Sequence, residues 1–256
     1  MKITRRNFLR LGGMGILLVS MPMKARGAFR EIPVLMYHDI SNSYSDDYTV
    51  SPSLFAAQME WLYNNGFRAI SLRDAPRLPE NEKAVVITFD DGYVSYMDYA
   101  FPLFREYGFH SLINVIGSRA GAFLHVNGNR PTLSWDEYRY LLGSGLVDIG
   151  CHTHDLHAFS HRGALGVSAQ RLEEDLITFL GTLRRETGTS TDILSWPYGL
   201  YDKKSISAAK KAGFRYFLTS KDEPFAVPGN REEIPRRTIN NHYDLVSFRL
   251  VVEGRQ

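Results

Sequence analysis

The feature that most constrains this chain is a strict alternation. Short apolar or β-branched runs occur at 32–37, 67–71, 84–89, 110–116, 146–150, 192–196 and 214–219, with helical patterns between several of them. The runs are continuously apolar, as strands covered on both faces are, so they fit a parallel sheet under helices better than a half-wet antiparallel one. The helical stretches carry their own punctuation. Ser51 is a cap, Pro52 fits a first turn, Phe55, Met59 and Leu62 share a face, and Gly66 is a stop. A second helix is predicted over 168–186 from Ser168, with Leu172, Leu176, Phe179, Leu180 and Leu183 inward, and a third from Asp202 to Gly213. The pattern after Tyr93 is helical but broken or kinked at Pro102. About seven strands of this kind predict an α/β fold built as a single distorted, incomplete (β/α) barrel.

The first 27 residues do not fit that pattern. They have a basic start, an apolar stretch from Leu11 to Met21 and a small-residue end at Ala25 and Gly27. This is the pattern of a signal peptide, too short and too glycine-rich for a span. "TRRNFLR" resembles a twin-arginine export signal with Arg5 and Arg6 as the pair. The expectation is therefore a signal over 1–27 read by the twin-arginine machinery, then one domain over 28–256 placed in the periplasm or outside the cell. Membrane attachment is expected only if the segment is retained. Setting aside its six basic residues leaves 24 basic against 28 acidic, a formal charge of −4, so nothing suggests a nucleic-acid partner. The lone cysteine, Cys151, excludes an internal disulfide.

In α/β barrels reactive groups lie at the C-terminal ends of strands. Four such ends are polar here: "VLMYHDI" with His38, "TFDDG" with Asp90 and Asp91, "DIGCHTHDLHAFSH", and "SWPYG". His152 and His157 are five apart, which on a helix would split them by about 140° but in a loop lets both turn to one point. Two imidazoles and a carboxylate suit zinc or another divalent first-row ion; a histidine-rich surface loop is the plain alternative. A metal would also explain paired aspartates, with Asp91 as ligand and Asp90 free to accept a proton from an acidified water. A capped strand-to-helix turn accounts for one aspartate but poorly for both.

"TFDDGY", "HTHDLH" and "WPYG", in that order on a β/α chain, resemble the NodB-homology polysaccharide deacetylases of carbohydrate esterase family 4. The early "PVLMYHDI" and the five-residue histidine spacing narrow the likeness to the branch acting on poly-β-1,6-N-acetylglucosamine. The resemblance implies Asp90 as catalytic base and Asp91, His152 and His157 as ligands of one divalent ion, zinc first, with cobalt, nickel or iron(II) acceptable. It implies His38 as the acid for the leaving amine and the Tyr198 backbone N–H as an oxyanion donor. The implied substrate is an N-acetylglucosamine polysaccharide, with chitin-type oligomers or peptidoglycan glycan as alternatives and a silent carbohydrate-binding module as the rival of another class. Many members carry an arginine ahead of the Pro-Tyr-Gly turn to orient the base. Here Trp196 stands there, and Arg236 in "EIPRRTI" is the candidate replacement. A chain ending at Gln256 is expected to be without the second domain of some relatives. His154 is expected to point away from the site. Asp155 is either a partner of a ligand imidazole or a cap, and Cys151 should project from the opposite strand face into the core. Tyr37, Trp135 and Trp196 are each either sugar platforms or packing residues.

Overall fold

The computed structural model describes residues 30–254 apart from 45, 80, 160, 161 and 228. The segment 1–27, read above as an export signal, lies outside the described residues. The principal sheet has eight strands: β1 (Val34–Tyr37), β2 (Arg68–Ala69), β3 (Ala84–Asp90), β4 (Ser111–Val115), β5 (Val147–Cys151), β6 (Ile193–Ser195), β7 (Tyr216–Leu218) and β8 (Arg237–Thr238). Seven lie in the order β7-β6-β5-β4-β3-β1-β8, with short β2 also paired to the start of β3. All of these pairs are parallel. The sheet curls until one crossing segment, 231–238, reaches both ends. Ile234 bridges Leu218 of β7, and three residues later β8 pairs with β1. This is the distorted barrel the alternation predicts. The sequence reading had neither β8 nor the antiparallel pair Arg30–Ile32 with Phe225–Val227, because such short pieces carry no periodic signal.

The period of two along each strand sorts the barrel into an outer core and a lumen. On β3, Val85, Ile87 and Phe89 face the helices, where they join Phe55, Met59, Leu62, Phe104, Leu172, Leu176 and Phe179. The alternate residues Ala84 and Val86 enter a second cluster with Val34, Leu112, Ile193, Leu218 and Ile234, which fills the lower lumen. One repeat higher, the same rows become polar: His38, Thr88, Asp90, Asn114, His152 and Ser195 are all buried. The upper lumen is thus lined by polar residues set directly above an apolar plug.

The helices form where their signals stand. Helix α1 (Pro52–Asn64) is capped by Ser51, with Pro52 in its first turn. A π-helical turn over Tyr96–Ala100 precedes helix α2 (Phe101–Tyr107), which takes Pro102, the position of the expected break or kink, in its first turn. That placement costs no hydrogen bond, since a first-turn N–H has no helical partner. Helix α3 (Trp135–Gly143) opens with a Ser134–Glu137 capping box, α4 (Leu156–Phe159) is a single turn, and α5 (Ala169–Thr187) runs from its Ser168 cap to a left-handed Gly188. Among the described residues α6 (Lys203–Ala212) and α7 (Leu245–Glu253) follow.

Candidate active site

Asp90 ends β3 on the lumen side, and its carboxylate is saturated with donors. Oδ1 accepts from Asn114 Nδ2 at 2.7 Å and from Arg236 at 2.7 Å. Oδ2 accepts from the other Arg236 nitrogen at 2.8 Å and from Ser195 Oγ at 3.2 Å. Arg236 also donates to Thr88 Oγ1, Ser195 Oγ and the Thr219 carbonyl, and is 1 % exposed. Burial alone would raise the Asp90 carboxyl, but the Arg236 guanidinium beside it overrides burial, helped by His152, and holds the group well below the usual carboxylate range. The crossing segment that joins the two ends of the sheet therefore also delivers the arginine that pairs with Asp90.

Asp91 is placed differently by one peptide. It sits at φ 71°, and Gly92 follows at φ 74°. Two left-handed residues turn the chain sharply, so consecutive carboxylates face different partners. Gly92 has a second reason to lack a side chain, since a Cβ there would lie 2.1 Å from the Tyr138 hydroxyl. Asp91 Oδ1 is buried without a hydrogen-bond partner among the described residues. It lies 3.6 Å from His152 Nε2 and 3.5 Å from His157 Nε2. The three potential ligand atoms are within 4.8 Å of one another, and this is the one such group found among the described residues.

The chemistry of this donor set fits a divalent ion. His152 Nδ1 is 2.9 Å from the Ser195 carbonyl oxygen, so Nδ1 carries the proton and the Nε2 lone pair is left facing Asp91. Burial pushes the His152 ring down to about 4 against the pull of Asp90, which leaves it neutral. His157, on α4, is half-buried with its ring stacked on Tyr198 at 4.6 Å, while the Tyr198 hydroxyl donates to the His157 carbonyl at 2.9 Å. A buried carboxylate oxygen without a donor, facing two imidazole nitrogens, is costly unless a cation joins them.

His38 continues β1 on the lumen side. Its Nδ1 is buried without a partner among the described residues, and its ring lies 5.0 Å from that of Tyr48. Together with Asp90, Asp91, His152, His157, Tyr198 and Arg236 it lines one cavity of about 450 Å³. All seven residues singled out from sequence thus meet in one place. Tyr198 is at φ 59°, a left-handed conformation at the centre of the Pro-Tyr-Gly turn. Cys151 is fully buried in the outer core, as the strand alternation predicts, and Trp196 is likewise packed, stacked with Tyr201 and Phe217. Tyr37 packs between Phe55 and Phe89, and Trp135 against Tyr138. The sequence reading missed Asn114 and Ser195, which hold Asp90 and His152. Each is a polar residue two places from an apolar inward one (Leu112 and Ile193), a signal that was present. Asp175 was missed as well; it accepts N–H bonds from His154 and Asp155.

The family profile described as polysaccharide deacetylase matches residues 77–217. The Bacillus subtilis (strain 168) protein YxkH, whose name assigns it provisionally to the polysaccharide deacetylases, is 29% identical over 202 residues, covering 77% of this chain and 66% of its own. The Escherichia coli (strain K12) poly-beta-1,6-N-acetyl-D-glucosamine N-deacetylase is 26% identical over 251 residues, covering 84% of this chain but 37% of its own. The chain therefore spans just under two thirds of one relative and little over a third of the other. Among solved structures, IcaB from Ammonifex degensii superposes with a TM-score of 0.74 at 25% identity, covering 88% of this chain and 97% of that one.

Proposed function

This chain belongs to the polysaccharide deacetylase family, and from that premise we propose that it is a metal-dependent hydrolase that removes acetyl groups from N-acetylglucosamine residues of a β-linked polysaccharide. Poly-β-1,6-N-acetylglucosamine is the preferred substrate, a choice supported by the name of the Escherichia coli relative and by the early "MYHDI" motif. The single observation that carries the reading is the unpartnered Asp91 carboxylate oxygen facing two imidazole nitrogens, next to a second carboxylate kept ionised by Arg236.

Asp91, His152 and His157 would hold the ion, zinc being the first choice. When bound, it supplies a positive charge that polarises the amide carbonyl and acidifies a water. Arg236 keeps the Asp90 carboxylate charged and fixed, so that Asp90 takes the proton of the attacking water. A carboxylate so well paired is a weak base, which would suit a water acidified by the bound ion. His38, one residue past the Tyr37–Phe89 pairing and so beside Asp90, gives a proton to the nitrogen as the C–N bond breaks. The Tyr198 peptide N–H stabilises the oxyanion formed by water addition to the acetamide carbon. Acetate and a free amine leave. Asn114 and Ser195 limit rotation of Asp90 from two sides.

Residues 1–27 are proposed as a twin-arginine signal that places the enzyme in the periplasm or outside the cell. The test of function is acetate release from β-1,6- and β-1,4-linked N-acetylglucosamine oligomers. Activity should favour the β-1,6 series, and no release from either would refute the proposal. Arg5→Lys/Arg6→Lys should leave precursor in the cytoplasm, and unchanged export would refute the signal assignment.

A further inference from the structure

The two histidines of the proposed ion site belong to different elements. His152 is fixed by β5, which precedes it, and by its Ser195 bond. His157 is on α4, one short turn in which the His157 N–H donates to Thr153 Oγ1 at 3.2 Å, so its position depends on the four residues between. That connection is strained at its start, since Thr153 is at φ 67°, a conformation costing a β-branched residue about 1–2 kcal/mol. Something must hold it.

On one side the Thr153 and His154 carbonyls accept from the Gly117 and Ser118 N–H groups at 3.1 and 2.7 Å. On the other side a single carboxylate takes two backbone donors of the turn. Asp175 Oδ2 accepts from the His154 N–H at 2.7 Å, and Oδ1 accepts from the Asp155 N–H at 3.0 Å. Asp175 is 1 % exposed and lies on the inward face of α5, in the row of Leu172, Leu176 and Phe179. A carboxylate at a helix core position is costly unless its charge is met. The two peptide donors offset part of that cost here, in the manner of an anion held by a nest of N–H groups.

We infer that Asp175 is a positioning residue for the ion site, setting the place of His157 relative to His152 and Asp91 through the backbone of residues 153–156. The inference rests on the metal reading of that site given above. Asp175 touches neither substrate nor ligand. It acts by making the strained turn the ground state before any ion arrives, so less of the binding free energy goes into ordering the loop. Partners of this indirect kind commonly change metal affinity 10–100-fold.

The test is titration of the chelator-treated full chain with Zn²⁺ and with Co²⁺, the latter followed by its visible absorption. Asp175→Asn keeps the shape but has one acceptor oxygen, so one N–H bond is kept and the other N–H faces an amide NH₂. It should bind either ion at least 10-fold more weakly and give an altered Co²⁺ spectrum. Glu174→Gln, the exposed neighbour, should bind as the parent does. Equal affinity and an identical spectrum for Asp175→Asn would overturn the inference. Parent protein that takes up no ion would instead overturn the metal reading itself. Should the variant fail to fold, hydrogen exchange on the ion-free parent decides. The His154 and Asp155 amides should be protected well beyond open-loop rates, and unprotected amides would overturn the inference.

Discussion

Replacing Arg236 with methionine removes the charge that Asp90 was buried against while keeping most of the volume. The guanidinium supplies two of the four bonds to the Asp90 carboxylate and ties Thr88, Ser195 and Thr219 to the same point. Breaking a buried pair from one side typically costs about 3–5 kcal/mol, against a total stability of about 5–15 kcal/mol. In the parent, the Asp90 carboxyl is held below its unfolded value of about 3.9, so its contribution is present above that pH and is lost as pH falls toward the folded value. In the variant burial is opposed only by His152, His38 and the Asn114 and Ser195 donors, so the group rises, and the penalty is largest at neutral pH and fades as the carboxyl protonates. Urea unfolding of chelator-treated protein should give a parent–variant difference near 3–5 kcal/mol at pH 7 that shrinks steadily toward pH 4. Asp90→Asn in the methionine background should recover part of it. Turnover should fall by at least 10²-fold, in line with the loss of an oriented general base, and Arg236→Lys should restore only a fraction, because a point charge cannot grip both oxygens. A pH-independent difference below 1 kcal/mol with full activity would refute the pairing argument and remove Arg236 from the site.

Three further outcomes follow from the packing. Asp91→Asn keeps the shape but weakens the ligand set, so it should lower Zn²⁺ affinity at least 10-fold in the chelator-treated chain; unchanged affinity would exclude Asp91 as a ligand. Gly150→Ala places a Cβ 2.1 Å from Asn114 Oδ1 and displaces the side chain that holds Asp90. It should cost about 1–3 kcal/mol and lower turnover, and parental stability by urea titration would contradict the contact. Cys151 is fully buried and burial pushes its thiol up, so iodoacetamide at pH 8.5 should label it only in denaturant; rapid labelling of native protein would contradict its place in the core.

Most of the barrel was legible because a strand buried on both faces writes a continuous apolar run, and capped helices between such runs leave few topologies. The site was legible for a related reason. Asp90, Asp91, His38 and His152 are polar residues at the ends of apolar strands, where no packing role accounts for them. The elements that escaped the reading are those without a period. β8 has two residues and Arg30–Ile32 three, so the segment carrying Arg236 could be suspected only through the absence of an arginine before Pro197. Asn114 and Ser195 were hidden inside runs that read as strand, although alternation puts both in the lumen with Asp90. Asp175 was hidden the other way, in a helix whose leucines account for the amphipathic pattern while one core position is a carboxylate. Its partners are two backbone N–H groups about twenty residues earlier, a pairing that no side-chain pattern announces.

In the proposed mechanism, an ion held by Asp91, His152 and His157 works beside Asp90 to release acetate from an N-acetylglucosamine polymer. The most direct measurement is acetate release from a β-1,6-linked N-acetylglucosamine oligomer by the purified chain, first as isolated, then after chelation, then with Zn²⁺ or Co²⁺ restored. Turnover should disappear with the chelator and return with the ion, and Asp90→Asn should not regain it under any of the three conditions. Undiminished turnover in excess chelator would contradict the mechanism.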